Sequence, residues 1–278
     1  MNKKIITDAS KKYFASNSML RIAIGQSVLV ACMILANIES GYSVSVSVCS
    51  AAFSILMCVG MWMLFSGAKN DKASPGAFSF IKADVIAQEV VSIVIAAAFI
   101  FVGAACTYVG FAFEAGQART AEFLEMFELS YNEVADLYGI TDLITFDEQV
   151  LIDLAGIIGI LLIFAGVIML AIVILFYTKT LKGIKAVKLS ATEGHLYQKF
   201  PTFVKVCLYI LTVILGFSVI TGVMYAALGM IWTFLLIIAN FVEYIFILIG
   251  LNNYRDTMAE AGIRVQLLES EGDDNVNG

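Results

Sequence analysis

The chain has 278 residues, 60% of them hydrophobic and 14% charged, with a mean hydropathy of +0.89, against roughly 25% charged in an ordinary soluble domain. The charge of −6 is segregated by sign along the sequence, and no basic, aromatic-laced soluble domain exists to bind nucleic acid. Two prolines suit long uninterrupted helices, and the apolar residues gather in runs of the length that crosses a bilayer.

The pattern predicts an all-α, polytopic integral membrane protein with six transmembrane helices, near 20–37, 44–66, 90–113, 151–177, 203–225 and 229–251. The first span carries Gln26 and Ser27 and closes at Asn37; no A-x-A cleavage site follows, so it reads as a retained anchor. Spans three and four carry small residues at helical spacing (Ala96, Gly103 and Gly110; Ala155, Gly159 and Gly166). Such seams let backbones approach closely, so these spans pack on each other, or one seam serves a homo-dimer. Spans five and six follow so closely that a tight turn is expected near Ala227–Gly229.

All of the 17 basic residues except Arg119 precede or open span one, fall between spans two and three, fall between four and five or at the edge of five, or follow six. By the positive-inside rule that side is cytoplasmic, which gives an N-in, C-in protein of the cell membrane. Each odd span enters through a cap or proline, an aromatic and a base: Phe14, Ser18 and Arg21; Pro75, Phe78 and Lys82; Phe200, Pro201 and Lys205. Three helical hairpins in series would produce that pattern, and so would interface anchoring alone.

The stretch from Pro75 to Phe113 is about 58 Å as one helix, so 75–89 is expected along the inner surface or bent into span three. Span four is expected to run on as a basic helix through Lys179, Lys182, Lys185 and Lys188. A basic helix at this surface suits anionic lipid headgroups, although plain positive-inside anchoring is the simpler account.

The outer segment 114–150 holds nine acids between Glu114 and Glu148 against Arg119. Leu124, Phe127, Tyr131, Val134 and Tyr138 form an apolar stripe, and Ser130/Glu133 and Thr145/Glu148 match capping boxes. Two short acidic helices are expected, serving either as a cation-attracting or partner-docking lid or simply as a solvated face, the latter being the simpler account. No EF-hand spacing occurs. Residues 252–278 form a cytoplasmic acidic tail, helical between Arg255 and Leu268 and disordered at its polar end.

The five cysteines lie in apolar runs without CxxC or Cys/His spacing, so neither a disulfide framework nor a metal site is expected. The single histidine, His195, sits in a loop, no phosphate-loop motif occurs, and no cofactor is implied. An enzyme is not expected.

One residue stands out inside the spans. Glu243 lies near the middle of span six with Asn240 one turn away, and a carboxylate at that depth costs a few kcal/mol, which makes it a functional candidate by default; the simpler account is a protonated acid hydrogen-bonded between helices as packing glue. Thr212 on span five is at similar depth and within expected hydrogen-bonding reach. Glu89 at the start of span three is a second binding candidate, with Lys205 and Arg21 as expected partners. Two function classes follow: a non-catalytic scaffold or membrane subunit with a protein partner, and a transporter in which Glu243 couples a proton or cation. Unbroken, proline-free spans favour the first.

Overall fold

A computed structural model describes residues 2–72, 74–112 and 148–274; the side chains of 109–112, 148–153 and 271–274 are not described. The described residues are helical, with no strand among them: α1 Asn2–Phe14, α2 Asn17–Glu39, α3 Val44–Ser50, α4 Ala52–Lys69, α5 Ala77–Ala112, α6 Glu148–Glu193, α7 Thr202–Ala227 and α8 Ile231–Asp274. Six of them, α2 and α4 to α8, are long and apolar enough to cross a membrane. Their outward faces are apolar: Phe101 is 76% exposed, Phe217 67% and Phe164 66%. Soluble monomers rarely leave apolar surface of this extent uncovered. Hydrocarbon is the surrounding such faces fit.

The chain divides into two units, Val90–Ile174 and the remainder. In the first, α5 and α6 meet through the small residues. A β-carbon built on Gly103 would lie 2.8 Å from the carbonyl of Gly159 and 2.8 Å from the backbone nitrogen of Ile163. One on Gly166 would meet the carbonyl of Ala96 at 3.1 Å. The Gly103–Gly159–Gly166 seam is therefore an α5–α6 contact; the outer member, Gly110, lies beyond the described side chains.

In the second unit α8 packs along α2 and α7. A turn at 228–230 joins α7 to α8, with Gly229 at φ +83, a conformation costly for residues with a β-carbon. The first turn of α8 is closed from outside itself. Glu39, the last residue of α2, accepts backbone N–H groups of Trp232 (3.0 Å) and Thr233 (2.9 Å) and the Thr233 hydroxyl (3.1 Å). A carboxylate here satisfies orphan donors and meets the positive end of the helix dipole.

The elements depart from the sequence expectations in four places. Span two is not one helix: α3 ends at Ser50 and α4 begins at Ala52. The Val-Ser-Val-Ser-Val-Cys-Ser run supplies stiff β-branched residues and hydroxyls that bond back to the chain. Ser47 donates to the carbonyl of Ser43 and Ser50 to that of Ser47, while Asn37 reaches across to Ser50 at 2.8 Å. Span three has no separate entry segment, because α5 is a single 36-residue helix. The tail is no separate helix either: α8 runs on for 44 residues to Asp274, about 66 Å at 1.5 Å per residue. Finally, residues 2–14, for which no helix is expected from the sequence, form α1.

That last pair explains itself. Ile6, Ser10, Tyr13 and Phe14 make one buried stripe on α1, and Tyr254, Met258 and Ala261 make one on the α8 extension. Each follows the three-and-four spacing of an amphipathic helix, and the two stripes pack on each other. Tyr13 and Tyr254 stand edge to face at 5.1 Å, as do Phe14 and Phe78 at 5.9 Å. Ser10 sits 3.7 Å from the sulfur of Met258, and Asn2 donates to Glu269 at 2.6 Å. Leu64 of α4 and Ala77, Phe78 and Ile81 of α5 complete this core. The surplus length of α8 is thus spent on a packed layer beyond the apolar spans, at the end of the unit that bears the lysines.

The acidic segment 114–150, with its expected helices and capping boxes, lies outside the described residues up to 147.

Candidate functional site

α8 carries the principal site residue. Glu243 is 2% exposed, wedged where α8 crosses α2. A β-carbon on Gly25 would overlap its carboxyl, and the Phe246 ring closes the same space. The glycine is what allows a carboxyl to occupy the interhelical contact. Among the described residues neither carboxyl oxygen has a hydrogen-bond partner.

Its expected neighbours do not converge on it. Asn240 is half-buried on the preceding turn. The Thr212 hydroxyl donates to the carbonyl of Leu208 on its own helix at 2.7 Å, so it supplies no donor to Glu243. Glu89 is half-buried and pairs with neither Arg21 nor Lys205. Lys205 instead donates to the side-chain oxygen of Asn252 at 3.3 Å, one turn beyond the apolar part of α8, and Arg21 is exposed.

The structure adds two polar residues at this level. Gln26, beside Gly25, is 3% exposed, and Asp84 of α5 is 1% exposed. The Gln88 amide donates to Asp84 at 2.7 Å, and Tyr244, adjacent to Glu243, lies within electrostatic reach of Asp84 and Tyr177. Asp84 passes unnoticed in the sequence because it falls in a polar stretch assigned to the interface. The signal was there: Phe78, Ile81, Asp84, Val85 and Gln88 share one helical face. Asp84 sits seven residues, about 10 Å, into α5, and Glu243 lies eight residues, about 12 Å, inside Leu251 of α8.

At the lysine-bearing end, Lys11 pairs with Asp71 at 3.0 Å; Asp71 holds φ +60 in the turn after α4. A cavity of about 20 Å³ beside Lys11, Lys72 and Phe14 has room for about one water, against about 300 Å³ or more for a small-molecule site. Burial, reinforced by the neighbouring Tyr254, holds the Tyr13 phenol above its ordinary range. Burial likewise raises Tyr197. This layer is held by packing, with no charge at its centre. His195 is exposed, 3.5 Å from Glu193. Among the described residues no group of three or more His, Cys, Asp or Glu is placed to hold a metal ion.

Comparison with protein-family models, with curated proteins and with solved structures returned no match.

Proposed function

We propose that this chain is a non-catalytic component of the cell membrane, a scaffold or membrane subunit of a larger assembly, with both termini in the cytoplasm. The observation that carries this reading is the layer formed by α1 and the extension of α8. Near both ends the chain spends amphipathic sequence on a packed, aromatic-cored platform. Loops that merely joined spans would need none of it. Such a platform gives a partner a fixed surface beside the bilayer. Its flanking lysines, including Lys179, Lys182, Lys185 and Lys188 on α6, suit anionic headgroups around the same footprint.

The polar residues of the spans support this reading too. Glu243, Gln26 and Asp84 are each enclosed, whereas a carrier of polar solutes lines a wet path with such groups. Purification in mild detergent from the native host, with mass spectrometry of what co-elutes, tests the proposal. A protein partner in fixed ratio is expected, lost when residues 2–14 are deleted. A chain that elutes alone, or whose partner is indifferent to that deletion, overturns it.

A further inference from the structure

Three carboxylates in the second unit stand at helix contacts, Glu39 partly exposed and Asp84 and Glu243 buried, and the first two are provided for. Glu39 has the open first turn of α8, and Asp84 has the Gln88 amide. Glu243 has neither: at 2% exposure, both of its oxygens are without a hydrogen-bond partner among the described residues.

An ionised carboxylate in that position would give up its hydration and gain no donor and no counter-charge, at a cost of several kcal/mol. Among the described residues, the elements packed around it offer no cation to offset this. α2 brings Gly25 and Gln26 to this level, and its Arg21 is exposed a turn away. On α7, Lys205 is engaged by Asn252. On α1, Lys11 is engaged by Asp71. α5 contributes a second acid, Asp84, beside Tyr244.

A bound metal ion would relieve the charge, but hard cations take about six or more oxygen ligands. The Gly25 backbone and the Phe246 ring lie against this carboxyl and offer it no ligand oxygen from a side chain, and no metal-holding group of acids exists among the described residues. The ligand that needs no other donor is a proton.

We propose that Glu243 is a proton-binding site inside the helix bundle, closed by Gly25 and Phe246. The site stands on the α2–α8 contact alone and holds whether or not the chain assembles with a partner. It differs from an interhelical hydrogen bond used as packing glue, because the acid has no acceptor across the contact. Gly25 keeps the space open, and the carboxyl rather than a hydrocarbon fills it.

Infrared spectroscopy of the purified full-length protein, wild type against Glu243→Gln, tests this. The expected difference is loss of one carboxylic-acid C=O stretch that shifts when the protein is moved to D₂O. Loss of a carboxylate band instead, with no acid band removed, overturns the proposal. A second measurement needs no variant. N,N′-dicyclohexylcarbodiimide partitions into apolar sites and reacts with protonated carboxyls: the acid proton moves to a carbodiimide nitrogen, the carboxyl oxygen adds to the central carbon, and the adduct rearranges to a stable N-acylurea where water is scarce. Peptide mapping should place one adduct on Glu243, with a water-soluble carbodiimide leaving that residue unmodified. An unmodified Glu243 under the apolar reagent, or equal modification by both reagents, overturns the proposal, since the first denies the proton and the second opens the site to water.

Discussion

Glu39 and Glu243 are both acids of the helical spans, and their environments set them to opposite uses. Glu39 ends α2 and points its charge at the start of α8, where several backbone N–H groups have no partner within the helix. It thereby ties the second helix of the chain to the last. Replacing it with Ala removes both acceptor oxygens and the charge, and replacing it with Gln removes the charge and leaves one acceptor. The Tm of the detergent-solubilised protein, followed by tryptophan fluorescence, should therefore fall for both, and further for Glu39→Ala. Trp232 sits in the turn concerned, so its emission reports the local event directly. A Tm unchanged in Glu39→Ala would mean that water caps α8 as well as Glu39 does.

The same comparison marks what could be read from sequence at this scale. Glu243 is legible because a carboxyl inside an apolar run has no ordinary explanation. What it touches is not legible, because Gly25 is more than two hundred residues away in sequence. Thr212 lies at matching depth, but a hydroxyl on a helix has an acceptor one turn back and takes it. Asp84 is the reverse case: its neighbours are polar, so nothing contrasts with it until tertiary packing buries its face.

Among the elements, the α5–α6 contact was the most legible, since small residues at helical spacing have a direct physical meaning between membrane helices. It yields a prediction whose sign depends on two competing magnitudes. Gly→Ala in a helix gains about 1 kcal/mol of helix propensity. At Gly103 the new methyl would lie 2.8 Å from backbone atoms of α6, which yield only if the helices part, and overpacking of this kind costs about 1–3 kcal/mol. At Gly216 it would meet only the edge of the Phe241 ring at 3.4 Å, an ordinary contact. Gly103→Ala should thus lower the Tm, with Gly103→Leu lowering it further, while Gly216→Ala leaves it unchanged or raised. Equal responses at the two glycines would remove the seam as a determinant of this packing. The elements that sequence pattern missed, α1 and the break at Ala51, have a common cause: both depend on what lies beside a weak helix former. The α1 stripe makes sense only once α8 extends far enough to meet it.

For the whole molecule, the packing of α1 on the far end of α8 restricts topology independently of any charge rule. Asn2 is hydrogen-bonded to Glu269; in the proposed membrane arrangement these two residues would share one side of the bilayer, and the number of crossings between them would be even. Six apolar helices satisfy that condition if 113–147 makes no crossing of its own. In that arrangement the charge rule chooses the side, because every basic residue except Arg119 would fall on the side of α1. With the native cysteines replaced by serine, single cysteines at Lys3, Gln117 and Glu269 separate the possibilities. An impermeant maleimide applied to intact cells should modify Gln117→Cys alone, and the other two should react only after permeabilisation. Modification of Lys3→Cys and Glu269→Cys from outside would keep the parity and invert the orientation, placing the platform outside the cell and ending the cytoplasmic-scaffold proposal. Opposite behaviour of those two residues would break the parity itself, and with it the α1–α8 packing on which the platform rests.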